Sequence, residues 1–421
     1  MNEDILLKII VDLNVKDLQN LCKTNKNMFY ICENNINYIF KTWIKKYNLI
    51  TSINDKNNLL YVKKNIHSSE YDILKEYFYY LDLTEINCMN NQISSLPELE
   101  NLTILNCCNN NLTHLPNFPN LTELYCKNNK LTCLPEYPNL ETLTCANNNF
   151  ISLPEYPKLK TLTCANNELI SLPKYRLLSY LICNNNKLIY LPEFSNLNYL
   201  MCDNNLLTSL PNLPELTNLM CNSNQLIYLP EFPNLVEINC YNNQLTLLPY
   251  YPKLTTLYCN SNQLNYIPKT PHLTNLICAY NQLTYLPEFS KLTTIDCSNN
   301  HLTSMPKLHN LNHLRCANNN IISLPEYSKL ISLDCSNNKL THLPKYPILT
   351  HLDCENNQLT SLYGYPDLIS MSCNNNNLTS IFNLPNLIRI NCHNNKDLIV
   401  PEFPNMSTDI IEEILRWTMM N

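Results

Sequence analysis

The chain holds a single glycine, Gly364, in 421 residues. That scarcity excludes glycine-rich phosphate loops and predicts turns that do not rely on positive φ, except at Gly364. Charge is also sparse: 29 basic residues stand against 35 acidic ones. Residues 1–82 carry 11 basic and 10 acidic residues, so the acid excess lies beyond them. Neither part has the basic surplus that nucleic-acid binding needs. No apolar run approaches a membrane span, and Glu3 and Asp4 interrupt any signal-peptide core. Neither a nucleic-acid nor a membrane partner is expected. No nucleophile has a base at a recognisable spacing, and nothing marks His313 or His351 as catalytic or as a metal ligand. The reading is of a non-enzyme without cofactor.

What the chain has instead is a period. A cysteine recurs every 19 residues from Cys88 to Cys392, seventeen in all, and an asparagine follows each one three residues later, from Asn91 to Asn395. Strict repetition near 20 residues means a solenoid whose units stack on their neighbours. One unit reads Leu159-Lys160-Thr161-Leu162-Thr163-Cys164-Ala165-Asn166-Asn167-Glu168-Leu169, then Ile170-Ser171-Leu172-Pro173. Leu162 and Cys164 alternate with Thr161, Thr163 and Ala165. This predicts one short strand per unit, with the first pair inward and the others outward. Parallel strands ~4.8 Å apart make a sheet roughly 80 Å along the stack. The asparagine amide falls where the chain leaves the strand and is placed to bond backbone of the adjacent turn, as a ladder.

An apolar residue followed by proline closes 15 of the 17 units, from Leu96-Pro97 to Val400-Pro401; Tyr363 and Phe382 replace the proline in the other two. Prolines this close exclude a helix and predict an extended or polyproline-like convex side, thin enough for gentle curvature. Two residues past the proline position an aromatic stands in 12 units: Phe118, Tyr137, Tyr156, Tyr175, Phe194, Phe232, Tyr251, Phe289, Tyr327, Tyr346, Tyr365 (after Tyr363 in place of proline) and Phe403. These form either a sticky surface stripe or packing beneath the convex segment, and so regular a ladder favours packing.

The unit resembles the leucine-rich repeat, LxxLxLxxNxL, with cysteine in place of one leucine. The resemblance covers residues 83–405. It is closer to the short repeats of bacterial secreted effectors than to helix-backed forms, and it implies an α/β-type repeat solenoid with a parallel concave sheet. Inward cysteines on adjacent parallel strands have poor geometry for disulfides, and one cysteine per strand makes no zinc site. Buried free thiols fit a reducing compartment, cytosol or nucleus.

The ends break the period. Residues 1–50 carry helical spacing at Ile5, Leu6, Ile9, Ile10 and Leu13, then Asp17-Leu18, Leu21-Cys22 and a closing Trp43. This resembles an F-box, although the usual Leu-Pro before the opening is missing. The resemblance implies docking to a Skp1-like adaptor through Ile5, Leu6, Ile9, Leu13 and Leu18, and hence a substrate receptor for a cullin-type ubiquitin ligase. The alternatives are a helical cap and, for the whole chain, an adaptor-independent scaffold or competitor of a host protein. F-box-like leucine-rich repeat proteins of giant DNA viruses (mimivirus-like) share this arrangement; for a viral chain the compartment is host cytosol. Residues 51–82 read as a helical linker and N-terminal cap, and residues 406–421 as a C-terminal capping helix around Ile410, Ile411, Ile414, Leu415 and Trp417.

The inward strand positions are constant and the outward ones vary, so specificity is expected on the concave face. One candidate patch is Tyr180, Ile182, Tyr199, Met201, Met220, Tyr241 and Tyr258, aromatic and methionine side chains like an interface centre. A second is Asp296, His313, Arg315, Asp334, His351 and Asp353, with Glu355 beside them. There Arg315 has an acid on each side at one strand spacing.

Overall fold

The computed structural model describes residues 83–382, 384–396 and 398, together with the strands Ile50–Asn54 and Leu59–Val62. It divides into two compact units at Asn196 and Leu197.

In the first unit the expected strands form at Glu85–Asn87, Ile104–Asn106, Glu123–Tyr125, Thr142–Thr144, Thr161–Thr163 and Tyr180–Ile182. They pair in parallel with an unbroken 19-residue register, as in Thr161↔Tyr180. Leu59–Val62 pairs in parallel with Glu85–Asn87 and antiparallel with Ile50–Asn54. The helical linker expected over 51–82 is therefore strand in its described part. Ile50, Ile53, Tyr61 and Val62 favour strand, and Asp55-Lys56-Asn57-Asn58 between the two runs has turn chemistry. Residues 63–82, the F-box-like segment before Ile50 and the C-terminal segment 406–421 lie outside the described residues.

The second unit repeats the turn eleven times, from Tyr199–Met201 to Arg389–Asn391, again in parallel and without slip. No helix occurs among the described residues.

The core of a turn is a set of inward side chains. In the turn around Cys164, Leu159, Leu162, Cys164, Leu169, Leu172 and Tyr175 are all at most 3% exposed. Each such aliphatic residue contributes roughly 1.5–3 kcal/mol by leaving water. The cysteines are free thiols, buried along the whole ladder; only Cys108 and Cys133 among the described ones reach solvent. Burial pushes the Cys240 thiol up to about 12, so it stays protonated and unreactive.

Polar closure between turns comes from asparagine. Asn167 Nδ2 donates to the carbonyls of Cys145 and Cys164 at 3.1 Å, while its Oδ1 accepts from the Phe150 amide at 3.1 Å. One buried amide thus ties two turns together, and Asn243 does the same in the second unit.

The expectation of turns without positive φ is overturned. In every turn the residue two after the cysteine has φ between 51° and 64°, from Asn90 to Asn394. Asparagine fills fourteen of these seventeen positions; the others are Ser223, Ser261 and Tyr280. Asparagine is the side chain that tolerates the left-handed region best after glycine, so it replaces glycine here. These residues form a second, outer ladder, as Asn109 Nδ2 to Asn90 Oδ1 at 2.9 Å.

The aromatics that follow the proline position are packing. Phe118, Tyr137, Tyr156 and Tyr175 are at most 1% exposed, with successive ring centroids 6.2–6.3 Å apart. Each tyrosine hydroxyl donates to the proline carbonyl 21 residues earlier, as Tyr137 to Pro116 at 2.9 Å and Tyr327 to Pro306 at 3.0 Å. Thr270 takes the aromatic position in one turn of the second unit, and its buried hydroxyl has no partner among the described residues. Where Tyr363 and Phe382 replace proline, the chain regains a backbone N–H. Ser361–Tyr363 and Ser380–Phe382 then pair as a separate two-stranded parallel sheet, followed in the first case by Gly364 at φ 85°.

Candidate functional site

With the inward positions consumed by packing, variable chemistry is left to two outward rows on each strand. The residues of each strand alternate half-buried, buried, half-buried in nearly every turn. Tyr180 and Ile182 lie outward on the last strand of the first unit, half-buried. The remaining candidates lie in the second unit.

There the register places Met201 beside Met220, and Met220 beside Asn239, which in turn neighbours Tyr258. Tyr199 heads the parallel row, and its hydroxyl contacts the Met220 sulfur at 3.9 Å. Tyr241 falls just past its strand, on the same side as Asn239. These side chains are half-buried rather than fully exposed.

Two polar members of this patch were not singled out from sequence. The Oδ1 atom of Asn239 is buried without a partner among the described residues. Asp203, two residues past Met201, accepts from the Asn222 amide at 3.0 Å. Burial pushes its carboxyl up to about 6, against the pull of that amide. The signal for Asp203 was available, since it occupies the outward position after a ladder cysteine.

The second patch has the predicted order but different bonding. Asp296, Arg315, Asp334 and Asp353 are consecutive register partners. Arg315 and His313 are exposed. No ion pair within 4 Å joins Arg315 to its flanking acids among the described residues. Each acid instead accepts through Oδ1 from the amide two residues on: Ser298 at 3.0 Å, Ser336 at 3.1 Å and Glu355 at 3.2 Å. A local bond of this kind holds the carboxylate down on its own turn. Asp353 is pushed up to about 6, first by burial, with the Glu355 amide opposing and the charges of Asp334 and Glu355 adding to the rise. Arg315, Asp334, His351 and Asp353 line a groove of about 420 Å³ together with Arg389 and Asn391. Asp296 and His313 stand outside it. No group of three or more metal-ligating side chains forms among the described residues.

A further apolar surface escaped the sequence reading. Ile227, Tyr228, Leu247, Tyr266 and Tyr285, in the two positions before the Leu-Pro pair, are 38–56% exposed, and the rings of Tyr266 and Tyr285 lie 5.7 Å apart. The adaptor residues expected from the F-box resemblance, Ile5, Leu6, Ile9, Leu13 and Leu18, fall outside the described residues.

Comparison with known proteins fits this geometry. A family model of two leucine-rich repeats matches residues 119–158. YopM, a leucine-rich effector of Yersinia pestis, is 30% identical with a TM-score of 0.53, over 85% of this chain and 94% of its own. A leucine-rich repeat protein of Leptospira interrogans is 32% identical with a TM-score of 0.56, over 63% and 81%. The chain belongs to the leucine-rich repeat proteins. The functional domain of InlJ from Listeria monocytogenes, described as including a cysteine ladder, is 25% identical with a TM-score of 0.51, over 73% and 70%. No curated protein matches in sequence. The leucine-rich repeat solenoid is a scaffold typical of protein–protein interaction, and its stacked strands give an extended binding surface.

Proposed function

We propose that this leucine-rich repeat protein binds a protein target on the outward sheet face of its second unit, with Tyr199, Met201, Met220, Tyr241 and Tyr258 at the contact centre. One observation carries the reading. Met201 and Met220 sit side by side in a row that holds Thr144 and Thr163 elsewhere, so packing of the turn does not require them. Flexible, polarisable methionines among tyrosines suit a protein interface. The test is capture of a target from cytosol by the full chain, followed by titration of the purified target. The pair Met201→Glu and Met220→Glu is expected to weaken binding at least tenfold with an unchanged circular-dichroism spectrum. Unchanged affinity would remove the patch from the interface. Tyr180 and Ile182 are a separate candidate contact on the first unit, and the charged patch is the second contact region of the second unit.

The finer reading is a substrate receptor of a Skp1–cullin type ubiquitin ligase, working in cytosol or nucleus. Its support is the F-box-like spacing over residues 4–43 and the free-thiol core. The rival is an adaptor-independent scaffold or competitor. Co-purification with a Skp1-like adaptor at micromolar concentration separates them. An adaptor that stays unbound while the N-terminal segment is folded leaves the scaffold reading.

A further inference from the structure

Five strands, from His313–Arg315 to Arg389–Asn391, floor the groove of about 420 Å³. The register fixes the order of its chemistry. One row runs Arg315, Asp334, Asp353, Ser372, Asn391; the other runs His313, Ser332, His351, Ser370, Arg389. Guanidinium groups therefore stand on the two end strands, and two carboxylates stand on adjacent strands near the middle.

The groups that face the groove have bonding capacity left over. Asp334 Oδ1 accepts from the Ser336 amide and hydroxyl, and Asp353 Oδ1 accepts from the Glu355 amide. The second oxygen of each carboxylate has no protein partner among the described residues. Arg315 makes no ion pair there either, although an acid flanks it on each side. The Oδ1 atom of Asn391 is buried in the groove floor without a partner, which is costly unless an incoming donor satisfies it. The two carboxylates thus stand near the middle, the amide oxygen of Asn391 on one end strand, and a guanidinium on each end strand.

Spacing narrows the occupant. At ~4.8 Å per strand, Arg315 lies roughly 7 Å along the stack from the midpoint between Asp334 and Asp353. In an extended chain, side chains two residues apart point the same way about 6.6 Å apart. The two distances agree. A polyanion such as nucleic acid would meet two carboxylates at the centre, and a lone small cation would leave Arg315 unused.

We infer that the groove takes an extended segment of a partner protein, with a lysine or arginine over Asp334 and Asp353 and a carboxylate side chain two residues away on Arg315. This rests on the protein-binding reading above and names the partner's chemistry at its second contact region. Charge-assisted pairing of this kind sets register and partner choice.

The experiment titrates the full chain with four fluorescein-labelled octapeptides, threonine throughout except at two positions spaced i and i+2. Those positions carry Glu and Arg, Glu and Glu, Arg and Arg, or only threonine. Fluorescence anisotropy at low salt is followed to millimolar concentration. The Glu-x-Arg peptide is expected to bind at least tenfold more tightly than the other three. Asp334→Asn with Asp353→Asn, which keeps the Oδ1 acceptors, is expected to abolish the preference over Glu-x-Glu. Arg315→Ala is expected to abolish the preference over Arg-x-Arg. The inference is overturned if the Glu-x-Arg peptide does not bind, if Arg-x-Arg binds as tightly, or if the substitutions leave the order unchanged. If it falls while Met201→Glu and Met220→Glu still release a captured target, the protein-binding reading stands without it.

Discussion

In residues 83–196 the two outward strand rows read Glu85, Ile104, Glu123, Thr142, Thr161, Tyr180 and Asn87, Asn106, Tyr125, Thr144, Thr163, Ile182. Two consecutive strands there are the same three residues, Thr-Leu-Thr. In residues 197–398 the same rows carry two methionines, four aspartates or arginines in register, two histidines and Arg389. The middle residue of the strand hardly changes: it is Leu, Ile or Met, and nearly always at most 3% exposed. Packing therefore dictates one residue in three on each strand and leaves the other two free. The first unit spends that freedom on a mixture, with threonine at four of the twelve positions and Glu, Asn, Tyr and Ile at two each. The second places there methionines and charged groups that the core of the turn does not require, the aspartates also accepting from amides of their own turns.

The largest effect that can break this comparison is a charge placed on either side of the strand. Cys221→Glu and Cys164→Glu both put a carboxylate at a fully buried site, at a cost of several kcal/mol, and each is expected to unfold its unit. Met220→Glu and Thr163→Glu, on the outward rows of the same strands, are expected to move the melting temperature by no more than a few degrees. A collapse on Met220→Glu with tolerance of Cys221→Glu would invert the assigned faces.

A smaller effect should be common to both units. Asn167→Ala removes three donated bonds and one accepted bond that are largely buried, and Asn243→Ala removes the equivalent set. Each is expected to cost roughly 2–4 kcal/mol, because backbone groups of two turns lose their partner. Hydrogen exchange should open at Phe150 in the first case and at Leu226 in the second. A loss confined to one unit would show that the ladder is not the shared tie.

The turn itself was legible because its signals repeat. Leu162, Cys164 and Asn167 recur at one phase, so strand, inward face and ladder followed directly. The left-handed turn residue was equally present, as Asn166 beside Asn167. It went unread because the lack of glycine was taken to exclude positive φ, when asparagine is the next residue able to adopt it. The strands at Ile50–Asn54 and Leu59–Val62 were hidden by their lack of period: short apolar runs do not distinguish helix from strand. At the candidate site, position was legible and bonding was not. Arg315 and its acids are register neighbours as expected, but Asp296, Asp334 and Asp353 turn to their own backbone. Sequence spacing does not show which of two nearby donors a carboxylate will take.

The left-handed position sharpens the comparison at the scale of ~1 kcal/mol. Tyr280 holds φ 55° where the first unit always has asparagine, and its side chain is 62% exposed. A bulky residue in that region is strained, at about 1–2 kcal/mol. Tyr280→Asn is expected to stabilise the second unit by ~1 kcal/mol, and Asn166→Tyr to destabilise the first by a like amount. Paired denaturant curves check both. If Tyr280→Asn destabilises, Tyr280 contributes a contact that outweighs its backbone.

The smallest expected effect is a pH dependence that belongs to the second unit and should be transferable. Asp203 follows a ladder cysteine at a position where the first unit has Met89, Cys108, Lys127, Ala146, Ala165 and Asn184. Its carboxyl titrates near 6 in the folded chain, above the ordinary carboxylate value of 3.8, because burial disfavours its charge more than the Asn222 amide favours it. The folded state therefore binds this proton more tightly than the unfolded state. Between pH 6 and 3.8 stability falls as pH rises, and above pH 6 the full penalty is present. Asp203→Asn keeps the acceptor for the Asn222 amide and removes the charge, so it is expected to stabilise at pH 7 and to be neutral near pH 4. The carboxyl still reaches solvent, which screens the penalty and keeps the gain modest. Ala165→Asp places an acid at the matching position of the first unit and is expected to create the same slope there. Denaturant midpoints of the wild type and both variants from pH 4 to 7.5 decide it. The first group to test for a slope that survives in Asp203→Asn is Asp353, the other carboxyl raised to about 6 among the described residues of this unit. The triple comparison with Asp353→Asn then tells whether the pH response belongs to the methionine patch or to the groove.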